Sequence, residues 1–204
     1  TLRIGATLTI GNYLAVGLIA AFRQQFPSAE VALEVANTAT IARKVADFEL
    51  DLGMIEGEIS SPQLETIHWR DDALQVFTAP SHPLARKRRA TDTDLAGQQW
   101  IVREPGSGTR QTFDRAMHGL LGNLDIAMEL QHTEAIKRAV EAGLGVGCLS
   151  RISLADAFAR GSLVPVNVPQ RDFSRQLNLI ARRDRYNGAA TRHWLALCAA
   201  NSRG

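Results

Sequence analysis

Between Asp125 and Leu149 the spacing of apolar residues changes period. Ile126, Met128 and Leu130 alternate with Ala127 and Glu129, the two-residue period of a strand. The period then turns helical, with Ile136, Ala139, Val140 and Gly143 on one face. Gly143 and Gly145 are expected to stop that helix in a left-handed cap. Residues 146–149 read as a short buried strand. Gln131, His132, Thr133 and Glu134 form the junction, where the Thr133 hydroxyl is placed to cap the free amides of the helix.

The same unit occurs earlier. Val31, Leu33 and Val35 alternate, Asn37 and Thr38 make the junction, Ile41, Val45 and Phe48 give a helix, and residues 52–55 give the next strand. Thr38 and Thr133 lie 95 positions apart (133 − 38), and the same offset pairs Val31 with Ile126, Glu34 with Glu129, Ile41 with Ile136, Arg43 with Arg138 and Val45 with Val140. One deletion later, Gly53 pairs with Gly147 and Ile55 with Leu149. The offset predicts two similar lobes, each with a hydroxyl at the carboxyl end of a strand. That end is where open α/β sheets bind ligands.

The remaining stretches fill in both lobes. Leu2, Ile4 and Ala6 form a first strand, and residues 7–12 a turn out of it. A helix follows, with Leu14, Leu18, Ala21 and Phe22 along one stripe and Phe26 and Pro27 closing it. Residues 56–62 are a polar loop; 67–69 and 74–78 are short strands. Trp100, Ile101 and Val102 open the second lobe as a strand, followed by a glycine-rich turn and a helix with Phe113, Met117, Leu120 and Leu121. Ser150 caps a helix containing Leu154, Ala155 and Phe158, which Gly161 ends. Residues 163–168 are extended, Leu177, Leu179 and Ile180 make a strand, and a last helix buries Trp194, Leu195, Leu197 and Cys198. The chain is expected to cross between lobes near 71–74 and back near 172–177. This makes lobe one residues 1–73 plus 176–204 and lobe two residues 74–175, with a hinge and a ligand cleft between them.

Two strand–turn–helix junctions carry hydroxyls. Thr7 and Thr9 stand in the first. Ser107 and Thr109 stand in the second, where Gly106 and Gly108 let backbone approach a ligand. Helix starts of this kind attract anions, although the same hydroxyls also serve as plain caps.

Bulk composition narrows the function classes. The 204 residues are 45% hydrophobic and 22% charged, an ordinary globular balance for one large domain or two small ones. With 23 basic and 21 acidic residues the net charge is +2, too even to imply nucleic acid as a partner of these residues. Arg86, Lys87, Arg88 and Arg89 form a charge run without interleaved aromatics, which reads as a solvated loop. Cys148 and Cys198 sit in apolar surroundings and read as inert core thiols. No apolar run approaches a membrane span. With neither signal peptide nor initiator Met, the chain reads as a fragment with something missing upstream.

Several chemistries lack their residues. There is no Gly-x-Ser-x-Gly elbow. Gly143, Gly145 and Gly147 mimic a dinucleotide loop, but they follow a helix and lead into a strand, the reverse of a Rossmann turn. His68, His82, His118, His132 and His193 lack metal-ligand spacing. Of the histidines only His132 falls at a ligand turn, and Glu104 and Glu134 are the carboxylates nearest the glycine-rich and Thr133 turns. A two-carboxylate catalytic pair is weakly indicated.

Six stretches, in order, resemble the effector-binding domain of LysR-type transcriptional regulators: residues 2–6, 22–27, 50–53, 79–85, 104–110 and 142–147. The resemblance covers nearly the whole chain. It implies an α/β fold of the type 2 periplasmic-binding-protein class, with two Rossmann-like lobes joined by two crossover segments. It also implies an upstream winged helix-turn-helix through which alone the full-length protein binds DNA.

The ligand contacts it implies are Thr7, Thr9, Ile10, Asn37, Thr38, Glu104, Ser107, Gly108, Thr109, His132 and Thr133, with no catalytic residue, metal or cofactor. Such hydroxyl-rich turns suit a small anionic effector. The Thr7-Leu8-Thr9 turn is similar to the branch of the family that senses sulfur oxyanions, and a small carboxylate is the other candidate. Glu104 beside an anion costs energy unless protonated or paired, with Arg103 or Arg110 as candidate partners.

The resemblance further implies a cytoplasmic homodimer, a tetramer at full length, with helix 12–26 and strand 31–35 set against helix 110–121 and strand 126–130. Val16, Ile19 and Leu33 stand as candidates on one side and Met117 and Leu121 on the other. Val16 and Ile19 lie off the Leu14–Leu18–Phe22 stripe, which leaves a second apolar surface on that helix. The competing readings are an enzyme on the same fold and a free-standing solute-binding protein.

Overall fold

A computed structural model describes residues 1–184 and 187–203. The chain divides into two compact units, Thr1–Asp71 with Gln176–Gly204, and Asp72–Arg175.

In the first unit, strands Val31–Val35, Leu2–Ala6 and Leu52–Glu56 run parallel in that order, with Leu2–Ala6 central. The Ser174–Arg182 strand adds antiparallel to Leu52–Glu56 through Gly53↔Ile180 to Glu56↔Leu177. Leu52–Glu56 is buried at every position, which is why it shows no alternation. Helix Thr38–Ala46 lies close on this sheet because Gly5 and Gly53 have no side chains. A Cβ on either would come within 2.8 Å of Ile41. Phe22 and Trp194 stack edge to face at 5.5 Å and join the first and last helices.

The second unit repeats the plan. Asp125–Leu130, Gln99–Arg103 and Val146–Ser150 run parallel with Gln99–Arg103 central, and strand Leu64–Thr78 pairs antiparallel with Val146–Ser150. One face carries Trp100, Val102, Phe113 and Met117; the other carries Ile101, Ile136, Val140 and Leu154. Both units therefore have the strand order second, first, third, then an antiparallel fourth. Helices Thr38–Ala46 and Thr133–Glu141 sit at an offset of 95 (133 − 38), and strands Leu52–Glu56 and Val146–Ser150 at 94 (146 − 52). The repeat seen in the sequence is a repeat of structure.

Several expectations are corrected. The first helix starts at Leu8, so the turn expected over 7–12 is mostly helix: α-helical Leu8–Ile10, π-helical Gly11–Ala15, then α-helical Val16–Gln25. The wide π turn puts Ala15 in the buried stripe where Leu14 was expected. Thr133 is the first helical residue and His132 holds the cap position without a capping bond. Gly143 takes the left-handed conformation at φ +82°, whereas Gly145 does not. Gly145 is needed because a Cβ there would overlap the Gln99 carbonyl oxygen.

Phe48 lies beyond its helix, 51% exposed, at a left-handed φ of +61° with the Arg182 guanidinium 3.9 Å above its ring. The two short strands expected at 67–69 and 74–78 are one strand, Leu64–Thr78, since neither Gly nor Pro interrupts it. The helix placed at 110–121 is Gly108–Ala116, and Met117 is fully buried in its own core rather than offered to a partner. In the last helix Trp194 and Cys198 are buried, while Leu195 and Leu197 are only partly so.

Candidate functional site

Of the residues singled out in the sequence, Thr7, Thr9, Ile10, Asn37 and Thr38 lie in the first unit. They gather at the carboxyl ends of its parallel strands. Thr7 caps the first helix by position but makes no side-chain capping bond, and its buried Oγ1 has no hydrogen-bond partner among the described residues. The Asn37 side chain accepts from the Thr40 amide at 3.0 Å and caps Thr38–Ala46. Ile10 is buried.

Glu56 organises this group. It ends the Leu52–Glu56 strand and is buried. Its carboxylate accepts from the Thr9 amide at 2.7 Å, and its backbone carbonyl accepts from the Thr38 hydroxyl at 2.8 Å. The helix start expected to hold an external anion thus already holds one of the protein's own carboxylate oxygens, where the amides and helix dipole favour negative charge.

Glu104, Ser107, Gly108, Thr109, His132 and Thr133 lie in the second unit. Ser107 caps Gly108–Ala116, its hydroxyl accepting from the Arg110 amide at 3.2 Å. Glu104 is paired by Arg103, with Nε at 2.8 Å and Nη2 at 3.4 Å. Arg110, the other candidate, instead bonds Asp114, Glu129 and the Arg103 carbonyl. Its pKa is raised: burial lowers it, but the hydrogen bonds to Asp114 and Glu129 and their charges outweigh that. His132 is exposed while Thr133 is buried.

Thr109 belongs to a buried polar chain. Its hydroxyl accepts from Arg175 Nη1 at 3.1 Å, and Arg175 Nε donates to Asp72 at 2.8 Å. The Ser150 hydroxyl donates to both Asp72 oxygens, at 3.0 and 2.8 Å, while accepting from the Ile152 amide. The Arg175 and Asp72 side chains are only 1% and 3% exposed.

The family model described as the LysR substrate binding domain matches residues 1–203. The chain belongs to this family. The Escherichia coli K12 protein "Uncharacterized HTH-type transcriptional regulator YeiE" is 41% identical over 197 residues, 97% of this chain and 67% of the relative. A "Probable RuBisCO transcriptional regulator" of Cyanophora paradoxa is 33% identical over 94% of this chain and 61% of its own length. This LysR-type domain thus spans about two thirds of such relatives. Among solved structures, the Synechocystis PCC6803 CcmR regulatory domain in complex with 2-PG superposes with a TM-score of 0.89 at 28% identity, covering 99% of this chain and 97% of that one. The fold is that of LysR effector-binding domains, the type 2 periplasmic-binding-protein class, and the expected family is confirmed.

For a LysR-type domain, the residues the sequence reading missed are Glu56, Asp72 and Arg175, and it took Ser150 only as a helix cap. A signal for two of them was present. Glu56 and Ser150 end equivalent third strands, at the same offset of 94 (150 − 56) that pairs Gly53 with Gly147. Asp72 and Arg175 are far apart in sequence, and no local pattern marks them as partners.

Proposed function

We propose that this chain is the effector-sensing part of a LysR-type DNA-binding transcriptional regulator, and that its effector is a small anion, either a sulfur oxyanion or a small carboxylate. The observation that carries this reading is the set of buried hydroxyls at helix starts: Thr7, Thr9, Thr38, Ser107, Thr109 and Thr133. These are positions where backbone amides favour negative charge. The Glu56 carboxylate on the Thr9 amide supports it, since an oxyanion fits that helix start. The same carboxylate disfavours a second anion beside it. In the second unit the charge of Arg175 is already met by Asp72 and its Nη1 by the Thr109 hydroxyl, so hydroxyls and helix-start amides are the donors that unit offers an anion. The related CcmR domain in complex with 2-PG hints at the same ligand class.

The reading makes the chain a binding module without a catalytic step, working in the bacterial cytoplasm with its DNA. An enzyme or a transport receptor on this fold is disfavoured because the relatives matching nearly the whole chain are transcriptional regulators. We also read it as a homodimer in which the first helix with strand Val31–Val35 meets helix Gly108–Ala116 with strand Asp125–Leu130, twice, about a two-fold axis. Both strands end the strand order of their units, and Val16, Val35 and Met128 are exposed apolar residues on these elements.

Calorimetric titration of sulfur oxyanions and small carboxylates tests the effector. One class should bind, and Thr9→Ala or Thr133→Ala should remove a hydrogen bond to a charged group, about 1.5–3 kcal/mol or roughly tenfold or more in affinity. No binding by either class, or unchanged affinity in both variants, refutes the assignment. Light scattering tests the dimer: Ile19→Glu should give a folded monomer, and an unmodified chain that stays monomeric at high concentration counts against it.

A further inference from the structure

We infer that residues 86–89 of the second unit form a docking strip for the phosphodiester backbone of duplex DNA. The inference rests on the reading of this chain as part of a DNA-binding regulator, and it departs from the expectation that the upstream winged helix-turn-helix alone contacts DNA and that residues 86–89 are only a solvated loop. Arg86, Lys87, Arg88 and Arg89 are all exposed. Lys87 pairs with Asp94 at 2.6 Å, whereas Arg86, Arg88 and Arg89 have no counter-ion among the described residues. The second unit holds 13 basic and 11 acidic residues (13 − 11 = +2) and the first holds 10 of each, so the whole net charge belongs to the unit bearing the strip.

The strip is also held in place, which a merely solvated run does not require. Leu84 and Ala90, on either side, are buried in the same core. The Arg88 carbonyl accepts from Asn167 Nδ2 at 3.1 Å, and the Ala90 amide donates to the Asn167 carbonyl at 2.8 Å. Gln170 Nε2 donates to the Ala90 carbonyl at 2.9 Å. A fixed backbone lowers the ordering cost of binding. Arg88 and Arg89 line an open cavity of about 540 Å³ with Asn167 and Pro169.

Guanidinium groups are weakly hydrated and match phosphate oxygens with paired donors. No aromatic anchor of the kind a protein partner would bury lines the cavity, and Pro169 is the one apolar residue in its lining. Charge without such anchors suits backbone contacts, which position DNA without reading its sequence.

Fluorescence anisotropy of a labelled mixed-sequence duplex against the 204-residue chain tests this. Each lost phosphate contact lowers the slope of log affinity against log salt by about 0.9. The triple variant R86Q/R88Q/R89Q should therefore lose about 2–3 from the slope and about tenfold or more in affinity near 50 mM salt. Its thermal melt should be unchanged. Equal slopes for the two proteins overturn the inference, as does tighter binding of polyglutamate than of duplex, which would point to an acidic protein. Failure of the underlying reading shows separately, as an upstream coding sequence without a helix-turn-helix.

Discussion

Removing the Asp72 carboxylate should cost the second unit more than removal of any exposed charge. Asp72 accepts from Arg175 at 2.8 Å and from the Ser150 hydroxyl at 3.0 and 2.8 Å, with both charged side chains almost wholly buried. At an effective dielectric near 20 the attraction of such a pair is on the order of 4 kcal/mol, and desolvation cancels much of it. The intact pair thus adds little net stability, but breaking it leaves the buried Arg175 guanidinium without its Asp72 carboxylate. Asp72→Ala should cost about 3–5 kcal/mol. Asp72→Asn should cost less, because it keeps an acceptor for Ser150. The double variant Asp72→Leu with Arg175→Met should recover most of the loss, since apolar replacement of a buried pair is often neutral. Urea denaturation followed by fluorescence reads this out, because Trp100 is the one tryptophan of the second unit. A loss below about 1 kcal/mol for Asp72→Ala, or a double variant no better than the single one, refutes the reasoning.

Other perturbations follow from burial and close approach. Burial raises the Cys148 thiol and pushes Cys198 up to about 12. Both should stay unreactive toward a disulfide reagent near pH 8 in the native protein and react fully after denaturation; fast native labelling of either would contradict their placement. Gly145→Ala puts a methyl group against the Gln99 carbonyl and should lower the denaturation midpoint more than Gly143→Ala, which has open space and faces only the left-handed backbone penalty of about 1–2 kcal/mol. The opposite ranking in urea titrations would show that Gly145 is not constrained by that contact.

Much of the fold was legible because burial writes periodicity into sequence. The strand at 125–130 and the helix after it show their periods directly, and a near-constant offset exposed the second copy. What stayed hidden depended on residues distant in sequence or on subtle backbone geometry. The π turn at Gly11–Ala15 has no compositional mark and shifted the buried stripe to Ala15. Phe48 continued the helical pattern, yet the backbone had already turned left-handed. Met117 looked available because an apolar residue on a helix does not declare which neighbour it meets. At the candidate site the hydroxyls were visible as turn residues. Glu56 opens a polar stretch in the sequence, and its strand, buried throughout, lacks the alternation that would mark its end.

The routing of the chain has a consequence for biosynthesis. The second unit, Asp72–Arg175, is contiguous, so all of its strands are available once that stretch has been made. The first unit is split: Gly53 must wait for Ile180, 127 residues later (180 − 53), before its sheet gains a fourth strand. At about 5–20 residues per second the nascent first unit stays incomplete for roughly 6–25 s while the second emerges. During that interval the edge of Leu52–Glu56 is an unpaired template for other chains. A ribosome-bound intermediate ending before Gln176 is therefore the species most in need of a chaperone, and a stop codon there would yield one folded unit and one that cannot close its sheet.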